Sequence, residues 1–271
     1  PPRSTLFPYT TLFRSKLPNR QGMFQNIKIM WHQGKQFIPD VKTSNLPGIF
    51  RGRPVISKAE VDQDLLVALC PTQAILCRPL GIDLGKCTFC GECAVRFPEK
   101  IKFTHDYHLS SNLREKLIVM EGDENPVNVD PLFVRKEIRR LFGRSLKLRQ
   151  VSAGGDNSCE WELTASNNVQ FDISRFGIDF VASPRHADGI VITGPIAENM
   201  AGALQICYDA VPYPKIVILA GTDAISGGIF AGSPAINRDF LNIYPVDLYI
   251  AGNPVHPLSF INGVLDLIKS R

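Results

Sequence analysis

Apolar and polar positions change rhythm near residue 145. From there on, short apolar runs at 178–182, 190–193, 216–221 and 246–251 read as strands of the buried parallel type. Stretches of helical period, Glu198–Ala210 and Pro257–Lys269, lie between and after them. This alternation predicts an α/β domain over 145–271, an open parallel sheet with helices on both faces. Its functional loops are expected at the carboxyl ends of the strands, near Ala153, Ser183, Gly194, Gly221 and Gly252. Before residue 145 the pattern is more broken. Asp130 reads as an N-cap with Pro131 at the first helical position. Leu132, Val134, Ile138, Leu141 and Phe142 then recur at roughly helical spacing, and Gly143 is the expected stop. The turn-rich, acidic stretch 121–130 leads into that helix, so 106–144 is assigned as linker and helix. His105 and His108 are expected to be solvated loop residues.

The cysteines add chemistry. A bacterial ferredoxin run reads C-x2-C-x2-C-x3-C-P, and in two-cluster proteins the fourth cysteine of each run ligates the other run's cluster. Cys70-Pro71 ends a first run whose other three positions hold Glu60, Gln63 and Leu66. Cys87, Cys90 and Cys93 open a second run, whose fourth position is Phe97 followed by Pro98. The losses match, because all four replaced positions would have served one cluster. The ligand set of the other cluster survives as Cys70, Cys87, Cys90 and Cys93, whose soft thiolates suit iron. The expectation is one [4Fe-4S] cluster in a small α+β ferredoxin domain over 55–105, built of short hairpins and helices. Four cysteines also suit tetrahedral zinc, but a zinc knuckle accounts for neither the matched losses nor the Cys-Pro. An odd count of seven cysteines in a chain of this length fits a disulfide framework poorly. Cys77 is expected to be a buried thiol outside the ligand set, and Cys207 a core residue.

Composition narrows the partners. With 44% apolar and 21% charged residues, the 271-residue chain has room for one large or two modest domains. A net charge of +4 is too mild to imply nucleic acid. The apolar runs fall far short of the roughly 20 residues that cross a bilayer, so membrane contact is expected only through partners. The predicted helix and its exit carry Arg135, Lys136, Arg139, Arg140, Arg144, Lys147 and Arg149. Such a basic face suits an acidic subunit or anionic headgroups, although a solvated face is the commoner reason for one. Residues 1–15, PPRSTLFPYTTLFRS, repeat TLF without charge patterning and resemble read-through of an adaptor. Residues 1–22 are therefore assigned as artefact or disorder, with translation expected to start at Met23. Residues 23–54 read as a basic, proline-containing, extended arm.

The strand-end loops carry a resemblance. GGDNSCEWEL (154–163), FVASPRHADGIVITGPIAENM (180–200), GTDAISGGIF (221–230) and VDLYIAGNPVHPL (246–258) are together similar to the small subunit of membrane-bound, energy-converting nickel-iron hydrogenases. They also resemble its relative, the complex I subunit that houses the terminal cluster, and the FRGRP at 50–54 is similar to hydrogenase relatives that carry a ferredoxin module on the same chain. The resemblance implies a flavodoxin-like, three-layer sheet domain that holds a cluster of its own through four cysteines. Only Cys159 is present; Asp156, Asp223 and Asn253 stand at the other three positions. Carboxylate and amide oxygens are hard donors, so a second cluster is expected to be absent. Glu162 matches an acidic position that in relatives lies near the partner's active centre; it is a candidate proton relay if buried, and otherwise an exposed helix carboxylate. No G-x-G-x-x-G or P-loop argues for a nucleotide.

Taken together, the resemblance implies an iron-sulfur electron-transfer subunit of a membrane-associated hydrogenase or complex I-like oxidoreductase, with no substrate chemistry of its own. Its partners would be hydrogenase-large-subunit-like or complex I-like subunits. It would be peripheral, on the cytoplasmic face of the inner membrane. The alternative is a structural or coupling subunit whose α/β domain has lost its cluster.

Overall fold

The structure is a computed structural model that describes residues 20–34 and 36–269. Most of the assignment of 1–22 as artefact or disorder therefore lies outside the described residues. The chain divides into two compact units, one ending at Ile38 and the other starting at Pro39. Where the sequence predicts an extended arm, the first unit contains helix α1 (Arg20–Gln33). No proline interrupts the chain between Pro18 and Pro39, and Gly34, at φ +63°, caps the helix by donating its N–H to the Met30 carbonyl (3.1 Å).

In the second unit, the first half is made of short elements: β1 (Pro54–Ile56), α2 (Gln63–Ala68), β2 (Ile75–Leu76), β3 (Gly81–Asp83), α3 (Glu92–Arg96), β4 (Ile101–Phe103), β5 (Ser110–Ser111) and β6 (Ile118–Met120). β1 pairs antiparallel with β4, and β2-β3-β6 form an antiparallel sheet of three strands. Asp62 starts α2 by accepting the N–H groups of Asp64 and Leu65 (both 3.1 Å). Leu66, at a position where the ferredoxin pattern would carry a cysteine, is fully buried in the core, where Phe97 packs against the same cluster of side chains. Gln63, at another, accepts from the half-buried Cys77 thiol (3.5 Å).

The second half is the predicted α/β alternation: α4 (Lys136–Phe142), β7 (Leu146–Ser152), α5 (Ser158–Ala165), β8 (Ile178–Phe180), β9 (Gly189–Thr193), α6 (Glu198–Ala210), β10 (Ile216–Ala220), α7 (Thr222–Ser226), α8 (Asp239–Ile243), β11 (Leu248–Ile250) and α9 (Pro257–Lys269). The sheet runs in the order β5-β11-β10-β9-β7-β8. Strands β7 to β11 are parallel, in the doubly wound order 2-1-3-4-5. The remaining strand, β5, is antiparallel to β11, so the stretch read as linker supplies an edge strand. Ile190, Ile192, Val217 and Leu219 face a core shared with Leu204, Tyr208 and Phe240 of α6 and α8. α9 packs on β11, and Phe260 on it stacks on Phe180 of β8 (5.8 Å), which buries the other face.

The helix predicted from Pro131 is divided. Asp130 does cap, accepting from Leu132 N–H (3.0 Å), but only a single 3-10 turn follows, Pro131–Phe133. Arg135 is extended (ψ 132°) and the α-helix starts at Lys136. Tertiary contact explains the break: Arg135 forks onto Asp247 (2.8 and 2.9 Å) and donates to the Lys215 carbonyl (2.6 Å), a geometry the helix would have turned away. His108 also departs from expectation. It is half-buried, hydrogen-bonded through Nδ1 to Asp106 (2.7 Å) and stacked on Tyr107.

Candidate functional site

Cys70 follows α2, Cys87 and Cys90 lie in the loop after β3, and Cys93 lies in α3. The fold brings the four together around one small pocket, walled by Pro71, Ala74, Ile75, Ile82 and Phe103. Gly91, at φ +80°, makes the turn into α3 between the exposed Cys90 and the half-buried Cys93; an added Cβ there would press on the Arg51 side chain (2.8 Å). Backbone donors already point at sulfur: Ala74 N–H at Cys70 Sγ (3.2 Å) and Phe89 N–H at Cys87 Sγ (3.3 Å). Burial pushes the Cys87 thiol up to about 12, with the neighbouring Cys93, Cys70 and Cys90 adding to the effect. Burial and the neighbouring Cys90 and Cys70 push Cys93 up to about 11. Four thiolates side by side repel one another, and a cationic centre among them removes that cost.

Among the described residues, no three His, Cys, Asp or Glu side chains meet closely enough to hold a single metal ion. In donor chemistry, the four soft thiols Cys70, Cys87, Cys90 and Cys93 that line this pocket fit an iron-sulfur cluster.

A second constellation sits at the carboxyl ends of β7, β9 and β10. Cys159, near the start of α5, is buried, and Gly221 (φ +100°) lets the β10 exit pass it: a Cβ there would lie 2.6 Å from Cys159 Sγ. Burial, and then the carboxylates of Glu160, Asp223 and Asp156, push the Cys159 thiol up to about 12. Asp223 is raised by burial and by the charges of Asp156 and Glu160. Asp156 spends Oδ1 on the Ser158 N–H (2.9 Å) and hydroxyl (2.6 Å), which hold it below the usual carboxylate range. The fold therefore gathers Asp156, Cys159 and Asp223. Asn253 lies in the adjoining loop and lines a cleft instead. One protonated thiol among carboxylates does not fit a cluster that prefers thiolate.

That cleft is bounded by Phe50, Arg51, Phe89, Asn253 and His256, and Glu162 opens into it. Burial raises the Glu162 pKa, which removes the reading of a fully exposed helix carboxylate. Burial takes His256 down to about 4, so its ring is neutral near pH 7.

Three residues carry weight that the sequence did not signal. Buried Glu160 accepts from Ser152 Oγ (2.6 Å) and Thr193 Oγ1 (2.7 Å), tying α5 to the ends of β7 and β9. Thr222 donates to the Cys87 carbonyl (2.8 Å), which joins the β10 loop to the cysteine pocket. Arg238 donates to the carbonyls of Pro195, Ala224 and Ile225 (3.2, 2.8 and 2.8 Å) and so fixes α7, on which Thr222 sits. None belongs to a spacing motif; only tertiary proximity identifies them.

The family match falls in this second half. Residues 157–267 match the family described as NADH ubiquinone oxidoreductase, 20 Kd subunit. A probable membrane-bound hydrogenase subunit of Pyrococcus furiosus is 35% identical over 129 residues, 48% of this chain and 77% of that protein. An NADH-quinone oxidoreductase subunit of Clostridium beijerinckii is 42% identical over 110 residues, 40% of this chain and 65% of its own length. Formate hydrogenlyase subunit 7 of Escherichia coli is 36% identical over 140 residues, 51% of this chain and 55% of its own length.

Proposed function

The chain belongs to the family described as NADH ubiquinone oxidoreductase, 20 Kd subunit, and on that premise we propose that it is an iron-sulfur electron-transfer subunit of a membrane-associated hydrogenase-like or complex I-like oxidoreductase. The observation that carries the reading is the single pocket shared by Cys70 and by Cys87, Cys90 and Cys93, from two separate segments. They are assigned to one [4Fe-4S] cluster in a ferredoxin-type module over 55–105, and Cys77 is outside the set. When bound, the cluster supplies reversible one-electron storage. The chain does the rest. Ala74 and Phe89 donate N–H groups toward sulfur, which favours the reduced, more negative state. Ile75, Ile82 and Phe103 wall the pocket against water. Thr222 holds the Cys87 backbone against the α/β domain, the side on which a partner subunit would take up or deliver electrons.

In this reading the α/β domain carries no cluster, because Asp156, Asp223 and Asn253 replace thiols around Cys159. Those same carboxylates favour the second reading, a structural or coupling subunit in a complex whose redox chain bypasses this domain. Glu162 in its cleft is the candidate proton relay toward a partner's reacting centre. The setting is peripheral, on the cytoplasmic side of the inner membrane; among the described residues no helix is long and apolar enough to cross a membrane.

Anaerobically purified protein should contain about four irons per chain, as one cubane requires. Cys87→Ser should remove most of the cluster absorbance, whereas Cys77→Ser and Cys159→Ala should retain it. Equal loss from Cys87→Ser and Cys77→Ser would overturn the ligand assignment. About eight irons, half of them lost in Cys159→Ala, would overturn the single-cluster reading. If iron is present but the purified complex does not reduce it, the coupling reading takes precedence.

A further inference from the structure

We propose that the amino-terminal edge of the large sheet is a direct contact with an anionic membrane surface, in which Leu132 and Phe133 enter the interfacial layer while Lys136, Arg140, Arg144 and Lys269 face lipid headgroups. This goes beyond contact through partners, and it does not depend on iron.

Chain direction defines the edge. β7 starts at Leu146, so Gly143 and Arg144 lie where the parallel strands begin. α9 starts beyond the carboxyl end of β11 and runs back along the sheet, which returns Lys269 to the same edge. Arg139, Arg140, Arg144 and Lys269 line one open cleft there. α4 buries Ile138 and Phe142, one turn apart, and packs on α9. Helical geometry then turns Lys136 and Arg140 outward, with Arg144 beyond the helix end.

The turn before α4 supplies the apolar part. Leu132 is 89% exposed and Phe133 64%. Arg139 donates to the Pro131 carbonyl, tying this turn to the basic helix. Tyr213, just ahead of β10 and so at the same edge, is 79% exposed. Large apolar side chains beside a row of cations are the composition of an interfacial anchor.

Two acidic groups at this edge are engaged, and Glu137 on α4 and Asp209 at the end of α6 form no ion pair among the described residues. Asp247 is paired with Arg135, and Asp179 with Lys147. Lys136, Arg140, Arg144 and Lys269 form no ion pair among the described residues, and Glu137 is the one acid on α4. The surplus is positive, complementary to anionic lipid. A protein partner is less well matched: a stable interface needs roughly 800 Å² on each side, with a substantial apolar centre, and two apolar side chains on a turn do not supply one. The cysteine pocket, through Thr222, lies at the carboxyl ends of the strands, so a bilayer on the amino-terminal edge leaves the electron-transfer side open to other subunits.

The test is sedimentation of the full chain with phosphatidylcholine vesicles, with and without phosphatidylglycerol. Binding is expected only to the anionic vesicles and should weaken with salt. Arg140→Gln with Arg144→Gln should weaken it roughly twenty-five-fold, at about fivefold for each cation. Leu132→Ser with Phe133→Ser should weaken it at all salt concentrations, and Ile206→Ser, at an exposed site on α6, should not. Unchanged circular dichroism and iron content in every variant separate this question from folding and from the cluster assignment. No binding to anionic vesicles, or binding indifferent to both double variants, overturns the proposal. So does capture of an acidic soluble protein by the wild type, with loss in the arginine variant, if vesicles are not bound.

Discussion

Thr222 has no exposed surface, and its hydroxyl serves two carbonyls, Cys87 (2.8 Å) and Gly252 (3.3 Å). A methyl in its place leaves both oxygens buried without that donor, a loss of about 1–3 kcal/mol. Thr222→Val should therefore lower stability by that amount in urea denaturation, and Thr222→Ser, which keeps the hydroxyl, should recover most of it. A valine variant as stable as the wild type would remove Thr222 as the clamp between the cysteine loop and the β10 loop. Two neighbours of the cysteine loop are informative at this scale as well: Leu66 is core and Gln63 is a partner for Cys77.

Among the elements, α9 shows how burial sets a titration. Pro257 starts the helix, and His256 Nδ1 accepts the Leu258 N–H (3.2 Å) as a cap. Phe50 and Phe171 pack edge-on against the ring (5.3 and 5.8 Å). Burial takes its pKa from 6.5 to about 4. As pH falls through 6.5, the unfolded chain gains a proton that the folded chain refuses until about 4, so stability declines across that interval. His256→Asn keeps a capping oxygen and removes the titration. Its stability relative to wild type, from urea melts at a series of pH values, should rise steadily on acidification from 6.5 to 4. Parallel profiles would mean that His256 is already charged in the native state.

For the whole molecule, one apolar core runs without interruption from Ile56, Leu66 and Leu84, through Phe89, to Ile192, Leu219 and Ala251. Arg114, in the stretch read as linker, forks onto buried Asp83 (2.8 and 2.7 Å) and ties that stretch to the cysteine-bearing half. Removing one partner of such a pair costs roughly 3–5 kcal/mol. Arg114→Ala should lower the melting temperature of the cysteine pocket and of the large sheet together, in one transition seen by cluster absorbance and by far-ultraviolet dichroism. Two separated transitions would show that the halves fold independently.

The strands from β8 to β11 and the helices Glu198–Ala210 and Pro257–Lys269 were legible in the sequence, because burial of the sheet forces apolar runs, fullest in β9 and β10, and burial on one helical face forces a helical period. The spacing also singled out Cys70, Cys87, Cys90 and Cys93, and the fold lines one pocket with them. Neither signal records contacts between distant segments. β5 leaves the linker to edge the large sheet beside β11, the last of its strands. Arg135 gives up helix for Asp247, 112 residues on, and Thr222 closes on Cys87 across 135 residues. Local pattern determined which elements form. Only the packed structure decided which polar groups those elements would satisfy, since a buried donor takes whatever acceptor the fold brings within reach.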